Sequence, residues 1–246
     1  MDHPFSGKLI AHRGLADLSK QFVENSLPAI LDCAQKNIPI EIDVQYHSEF
    51  GFVVFHDETL ERMFGYKANV ADCTADFLKI LRYEDGSKLL DLKTFLEAVD
   101  GKVPVLLEVK ARAGTSFVKL HLMAKTLRKL LSSYKGELWI QSFSPVFLSA
   151  CRVAKLPRNL GQLVTNWNEV KSLSLFEKAV LKSHTLDFIN RIDFISVEKS
   201  LSNKPEVVFF KNVLGRFVFS WTHKKNHYES IRRDSADAAI SEGFSS

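Results

Sequence analysis

Short apolar runs rich in β-branched residues alternate along the chain with stretches whose apolar residues recur at helical spacing. Runs of the first kind predict β-strands, and stretches of the second kind predict amphipathic helices. Eight strands are predicted, over Lys8–His12, Pro39–Tyr46, Val103–Lys110, Glu137–Phe143, Asn159–Thr165, Asp193–Val197, Arg216–Trp221 and Ala236–Ser241. Strand and helix alternating around eight strands is typical of a closed parallel barrel, so the predicted fold class is α/β, a (β/α)8 barrel.

Helix boundaries follow from capping residues. Ser26 and Ser144 are N-cap residues with a proline in the first turn that follows, and Asp91 opens a helix that Gly101 is expected to end. The remaining predicted helices cover Val118–Leu131 and Pro205–Leu214.

One segment interrupts the alternation. After the second strand the sequence predicts a hairpin turn at Glu49-Phe50-Gly51 and a short strand over Phe52–His56. Mixed helix and loop follow, so residues of about 47–102 are predicted to form an insertion at the barrel rim, within a single domain spanning residues 1–246. Long connections of this kind usually carry function.

Composition narrows the function classes. The 246 residues are 46% hydrophobic and 25% charged, which excludes disordered and collagen-like chains. The 33 Lys and Arg against 29 Asp and Glu leave a net charge of +4, and no basic run interleaves with aromatic residues. Nucleic acid is therefore not an expected partner, whereas a small anionic substrate is compatible with the charge.

Features that would direct the chain to an export route or a bilayer are not found in the sequence. The three cysteines, Cys33, Cys73 and Cys151, are widely spaced, which suits a reducing compartment. No basic segment followed by an apolar one opens the chain, and no apolar run approaches the roughly 20 residues of a membrane span. A cytoplasmic protein without stable membrane insertion is predicted.

Three carboxylates lie inside strands that otherwise consist of core residues. Glu41 and Asp43 point away from Ile40 and Ile42 because strand side chains alternate, and Glu108 shares a strand face with Lys110. Each acid could simply pair with a basic neighbour, since buried charges are usually paired. Three acids in apolar strands favour a divalent cation held by oxygen ligands, with Mg²⁺ and Ca²⁺ both open.

Two histidines, His12 and His56, each follow an apolar strand, at the barrel face where active sites are built. A lone histidine at such a place is more often a packed residue, but two near one carboxylate cluster favour a general acid and base pair. Arg13 offers a bidentate grip on phosphate, and Lys110 a point charge. Most of the other histidines are predicted to lie on the surface (His3, His47, His121, His184, His223 and His227).

These residues stand in an order that resembles the glycerophosphodiester phosphodiesterase family. The segments that carry the resemblance are His12-Arg13-Gly14, Glu24-Asn25-Ser26, Glu41-Ile42-Asp43-Val44, His56-Asp57 with Thr59-Leu60-Glu61-Arg62, Glu108-Val109-Lys110, Gln141-Ser142-Phe143 and Trp221-Thr222. No segment is specific alone, whereas the ordered set is specific and covers nearly the whole chain.

The resemblance implies a TIM barrel with an insertion after the second strand, and hydrolysis of a glycerophosphodiester to glycerol 3-phosphate and an alcohol. It implies a divalent ion held by Glu41, Asp43 and Glu108, with His12 and His56 as acid and base in an order left open. Arg13 and Lys110 would stabilise the phosphate charge. It further suggests that Glu24 orients metal or substrate, that Asn25 bonds phosphate, and that Phe143 and Trp221 line the apolar side of the substrate, although barrel core is the plainer use of each aromatic residue.

The last strand departs from the family pattern. Ser241-Glu242-Gly243-Phe244 stands where the family usually has Thr-Asp and an aromatic-Pro pair, and His223 stands where Asn is expected. An eighth outer helix is not expected, which leaves that side of the barrel open or covered by another subunit in a homo-oligomer. One rival function is a phospholipase D-type barrel acting on lysophospholipid or sphingolipid, whose lipid-facing rim could use Phe50, Phe52, Phe64 and Tyr66. The other is a non-catalytic binding barrel.

Overall fold

A computed structural model of the chain describes residues 3–170, 181, 189–224 and 236–243. Its ten described strands, in chain order β1 to β10, are Leu9–Ala11, Ile40–His47, Gly51–Val54, Leu90–Asp91, Val105–Lys110, Leu138–Ser142, Leu160–Val164, Phe194–Glu198, Phe217–Lys224 and Ala238–Glu242. Eight of them pair in parallel in the order β1-β10-β9-β8-β7-β6-β5-β2, and β1 also pairs with β2. The sheet therefore closes on itself, which confirms the predicted (β/α)8 barrel.

Closure depends on two parallel contacts of the short first strand. Leu9 lies opposite Ala239 of β10, and Ala11 lies opposite Ile40 of β2. The chain's first and last described strands are therefore neighbours, and the residues that follow them meet at the same end of the barrel.

Seven α-helices are described, α1 to α7, over Leu27–Gln35, Glu61–Phe64, Ala75–Ile80, Leu92–Val99, Phe117–Leu131, Pro145–Val153 and Pro205–Asn212. The predicted caps are present: the side chains of Ser26, Asp91 and Ser144 accept hydrogen bonds from backbone amides of the first turns. Helix α4 ends at Val99, two residues before the predicted Gly101, because Asp100 itself adopts the left-handed conformation. The expectation about an eighth outer helix concerns residues outside the described part.

Side-chain alternation along the strands produces two apolar layers. Ile40, Ile42 and Val44 of β2 belong to the large cluster between the barrel and its helices. A smaller cluster, containing Phe5, Leu106, Trp139, Phe194, Phe219 and Ile240 among its members, is formed by side chains from the opposite strand faces. Gly161 permits this packing, because a Cβ atom there would lie 2.2 Å from the Phe194 ring.

The insertion begins as predicted, with β3 antiparallel to β2, and then forms an apolar cluster of its own. That cluster includes Val53, Phe55, Leu60, Val70, Leu78, Leu81, Tyr83 and Leu89. Helix α4 instead packs on the main cluster, as an outer barrel helix does. The single-domain boundaries stay a prediction. No helix among the described residues is long and apolar enough to span a bilayer.

The aromatic residues considered for a lipid-facing rim have mixed environments. Phe52 is buried, Phe50 and Phe64 pack partly against the cluster of the insertion, and Tyr66 is 50% exposed. Core packing therefore accounts for most of this aromatic content.

The surface placement predicted for the remaining histidines is wrong for His47 and His223, which are both buried. The His47 Nδ1 atom accepts from the backbone amide of Phe50 at 2.9 Å, and its Nε2 atom lies 2.8 Å from the Cys73 carbonyl oxygen. The imidazole thus satisfies a backbone amide of the hairpin turn and a backbone carbonyl of a later segment of the insertion, which a surface histidine would leave to water. His223 is buried with its Nε2 atom 2.7 Å from the Ser220 hydroxyl. His184 and His227 lie outside the described residues.

Candidate active site

The three predicted metal ligands converge at one end of the barrel. Asp43 of β2 lies directly opposite Glu108 of β5 in the parallel register, and Glu41 projects from the same face of β2. One carboxylate oxygen from each residue lies within 4.8 Å of the others, and the three residues are 1%, 1% and 7% exposed. Oxygen ligands at this spacing fit a hard divalent cation.

The charge balance of the cluster also fits a bound cation. Burial, and then the charge of Asp43, raise the pKa of Glu41 to about 8. Burial raises the pKa of Glu108 as well, whereas Lys110 holds the pKa of Asp43 below its usual range despite burial. The Lys110 ammonium is 2.9 Å from Asp43 and also contacts Glu108. The protein's own cations thus favour the charged form of Asp43 but do not offset the burial of Glu41 and Glu108, whose charged forms an added divalent ion would stabilise.

Both histidines line the pocket, and each has its own carboxylate. The Nδ1 atom of His12, directly after β1, is 2.7 Å from Glu242 at the end of β10. The Nδ1 atom of His56, two residues after β3, is 2.7 Å from Asp57. A carboxylate that holds Nδ1–H fixes the ring and leaves Nε2 as the atom that exchanges a proton. The pKa of His12 is raised, because the Glu242 hydrogen bond and the charges of Glu41 and Asp43 together outweigh burial, which acts in the other direction.

These groups surround a cavity of about 110 Å³. Its lining residues are His12, Arg13, Glu41, Asp43, His56, Glu108, Lys110, Gln141, Phe143, Leu163, Trp221, Thr222 and Ile240. The Phe143 and Trp221 rings meet edge to face at 5.8 Å, and the Trp221 indole donates to the Ser196 carbonyl at 3.0 Å. The cavity therefore has one charged wall and one aromatic wall.

A second cavity of about 200 Å³ adjoins the first and shares His56, Glu108, Lys110 and Phe143 with it. Its outer part includes Arg112 and Glu58, whose side chains form an ion pair at 3.1 Å. The two cavities together give a substrate room on both sides of His56.

Arg13 reaches the site through an unusual backbone. Its φ of 52° is left-handed, and its amide donates to Glu41 at 3.0 Å while its guanidinium lies 3.0 Å from Glu24 and 3.3 Å from Asp43. Gly14 follows at φ 76°, where a Cβ atom would lie 3.3 Å from the Ala29 Cβ. This tight turn aims both the amide and the side chain of Arg13 at the carboxylates.

Two sequence-selected residues lie outside the set that lines the cavity. Asn25 is buried, and its amide nitrogen lies 3.2 Å from Asp43, so in the structure it orients a carboxylate; the phosphate contact suggested for it stays a prediction. Glu24 contacts Arg13 and Arg62 and is not part of the carboxylate cluster, so a direct contact with a metal does not follow from its position.

Sequence reasoning missed Glu242 as the partner of His12. A signal for it existed, because the first and last strands of a closed barrel are neighbours and polar residues that follow them must meet. Gln141 and Thr222 were part of the quoted motifs, although no role was assigned to them, and Leu163 and Ile240 could not be distinguished from core residues.

The model of the glycerophosphoryl diester phosphodiesterase family matches residues 12–240. No curated protein matches the chain by sequence.

Solved structures with the same fold include several of low sequence identity. A phosphodiesterase from Oleispira antarctica, in complex with the product sn-glycerol-3-phosphate, is 19% identical with a TM-score of 0.76, covering 96% of this chain and 93% of that chain. A glycerophosphodiester phosphodiesterase from Thermotoga maritima is 24% identical with a TM-score of 0.70, covering 99% and 96%. At these identities the likeness shows a shared barrel fold.

Proposed function

We propose how this chain, which belongs to the glycerophosphoryl diester phosphodiesterase family and is a glycerophosphodiester phosphodiesterase, carries out its reaction. In this proposal a bound divalent cation is required, and His12 and His56 are the proton-transfer pair. The products proposed are glycerol 3-phosphate and an alcohol. The observation that carries the proposal is the buried cluster of Glu41, Asp43 and Glu108, with both histidines on the same small cavity.

The three carboxylates would hold Mg²⁺ or Ca²⁺, which supplies positive charge beside the phosphate oxygens. Arg13 and Lys110 line the same cavity and add fixed positive charge where the transition state gains negative charge. One histidine accepts at Nε2 the proton of the nucleophile, which is either water or the glycerol hydroxyl of the substrate itself. The other histidine donates a proton to the oxygen of the leaving alcohol. Glu242 and Asp57 hold the two rings in place at Nδ1.

Substrate binding follows from the two walls of the cavity. The phosphate would lie against the charged wall, and the aromatic wall of Phe143 and Trp221 would contact the carbon skeleton. The product bound by the Oleispira antarctica phosphodiesterase, sn-glycerol-3-phosphate, is the product proposed here. A cytoplasmic location and assembly into a homo-oligomer stay predictions.

The test is release of glycerol 3-phosphate from glycerophosphocholine and glycerophosphoethanolamine, using protein stripped with EDTA and then supplied with Mg²⁺ or Ca²⁺. We expect turnover only after metal is restored. His12→Ala and His56→Ala should each abolish turnover and keep the folded circular dichroism spectrum. His121→Ala is the matched control, because His121 stacks on Phe117 of the outer helix α5. Turnover of either active-site variant at the wild-type rate would contradict the proton-transfer assignment.

A further inference from the structure

Arg62, in the short helix α2 of the insertion, contacts two carboxylates, and each of them contacts a different residue of the active site. Its Nε atom donates to Asp57, and its two terminal nitrogens donate to Glu24, one of them at 3.2 Å. Guanidinium is planar with donors on several edges, so a single arginine can hold two carboxylates in fixed directions. Arg62 itself does not line the catalytic cavity.

Each of these carboxylates has a second partner inside the site. Asp57 uses its other oxygen for the Nδ1 atom of His56, at 2.7 Å. Glu24 also accepts from the Arg13 guanidinium at 3.0 Å, and Arg13 in turn lies 3.3 Å from Asp43. A continuous polar chain thus runs from His56 through Asp57, Arg62, Glu24 and Arg13 to the carboxylate cluster.

Packing at both ends fixes the position of helix α2, which carries Arg62. Leu60, just before the helix, is fully buried in the cluster of the insertion. Phe64, at its end, packs against Tyr83 and Phe55 with ring centroids 4.7 and 5.7 Å apart. Gly65 then turns the chain at φ 74°.

The charges of the network are balanced around Arg62. Contact with Glu24 and Asp57 raises the pKa of Arg62, and Arg62 and His56 hold the pKa of Asp57 low although burial acts in the other direction. Asp57 therefore contacts His56 through one carboxylate oxygen while its other oxygen accepts from Arg62.

We propose that Arg62 is a positioning residue of the phosphodiesterase, through which the insertion holds His56 and Arg13 in their working orientations. This inference rests on the proposed function of His56 and Arg13. It assigns a task to the insertion: a separately packed unit sets the geometry of two groups that belong to the barrel mouth.

The experiment measures kcat and KM for Arg62→Ala, Arg62→Lys and Arg82→Ala. Arg82 is the matched control, because it lies in the same insertion and its Nη1 atom donates to the backbone carbonyls of Lys79 and Leu81 at 3.0 and 2.9 Å. Misplacing a catalytic group by about 1 Å costs up to roughly 100-fold in rate, so we expect kcat to fall about 10- to 100-fold in Arg62→Ala. Lysine has no fork and should restore little, and Arg82→Ala should keep the wild-type kcat.

Two further readouts separate positioning from simple stability. Free guanidinium at a non-denaturing concentration should restore activity to Arg62→Ala, and ammonium at equal ionic strength should not. The losses caused by Arg62→Ala and Asp57→Asn should also be non-additive, because both act on His56. Full additivity of Arg62→Ala with Asp57→Asn would overturn the proposal. Wild-type kcat in Arg62→Lys would overturn it as well, even where Arg62→Ala fails to fold.

The result can be distinguished from failure of the proposed function. If the wild-type protein turns over no glycerophosphodiester, the proposed function fails, and the histidine ring ¹⁵N spectrum still tests Arg62 without substrate. Shifted His56 ring signals in Arg62→Lys, with unchanged signals in Arg82→Ala, would support the positioning role. Unchanged His56 signals in both variants would refute it.

Discussion

Replacing Glu242 with Gln tests whether the last strand of the barrel contributes to catalysis through His12. The carboxylate lies 2.7 Å from the His12 Nδ1 atom, and the two side chains are 26% and 16% exposed. Glutamine has nearly the same size and can still accept a hydrogen bond, but it carries no charge. The substitution therefore removes the charge that stabilises a protonated His12 and leaves the packing almost unchanged.

The expected loss of rate follows from the strength of the hydrogen bond between Glu242 and His12. A hydrogen bond to a charged group contributes about 1.5–3 kcal/mol, and glutamine should retain the smaller part of that. A loss of about 1.4 kcal/mol corresponds to roughly a tenfold lower rate, so kcat/KM should fall about tenfold in Glu242→Gln and further in Glu242→Ala.

The direction in which Glu242→Gln shifts the pH profile of kcat/KM follows from the causes of the raised His12 pKa. The pKa of His12 is raised above its usual value, with Glu242 the leading cause acting in that direction, helped by Glu41 and Asp43 and opposed by burial and Arg13. Without the Glu242 charge the pKa of His12 must fall, so the limb of the kcat/KM profile that reports His12 should move to lower pH.

The assay is a pH series of kcat/KM with saturating metal, using Glu198→Gln as the control. Glu198 also ends a barrel strand, but its carboxylate accepts from Thr165 at 2.7 Å and Ser200 at 2.8 Å, and within the described part of the chain it contacts no histidine. A Glu242→Gln enzyme with wild-type kcat/KM and an unmoved profile would refute the role assigned to this carboxylate.

Two more predictions concern the metal cluster and the barrel core. Asp43→Asn should weaken Mg²⁺ or Ca²⁺ binding by more than the roughly 10- to 100-fold that follows loss of a residue hydrogen-bonded to a metal ligand. Titration calorimetry measures this affinity beside the control Glu97→Gln on the outer helix α4. Equal affinity in both variants would exclude Asp43 as a ligand. Phe219→Ala should lower the free energy of unfolding by about 3–5 kcal/mol, because the Phe219 ring is fully buried beside Trp139 and Phe194. A urea titration measures this change. A cost below about 1 kcal/mol would mean that the interior of the barrel collapses around the gap.

Most of the fold could be predicted from the sequence because its elements obey local rules. Each parallel barrel strand lies within or close to a predicted run, and the caps at Ser26, Asp91 and Ser144 depend on residues next to the helices they cap. Local rules fail where tertiary contacts select the conformation. Asp100 ends α4 in place of Gly101. His47 is buried because its Nδ1 atom accepts a hydrogen bond from a backbone amide of the hairpin turn.

The candidate site divides in the same way. Carboxylates in an apolar strand are visible in the sequence, since alternation fixes which face they occupy and burial makes unpaired charge costly. The left-handed backbone of Arg13 and Asn25, with φ values of 52° and 58°, cannot be predicted from the sequence, because neither residue type favours that conformation as glycine does. The turn at Arg13 and Gly14 lets the Arg13 amide reach Glu41, and that contact exists only once β2 lies beside β1.

The two histidine–carboxylate pairs show how sequence distance hides equivalent chemistry. His56 and Asp57 are adjacent in the chain, so their contact can be inferred before any fold is known. His12 and Glu242 are separated by 230 positions, and they meet only because pairing of β1 with β10 closes the barrel. A barrel opened at the β1–β10 pairing should therefore lose the Glu242 contact with His12 before it loses the contact of Asp57 with His56.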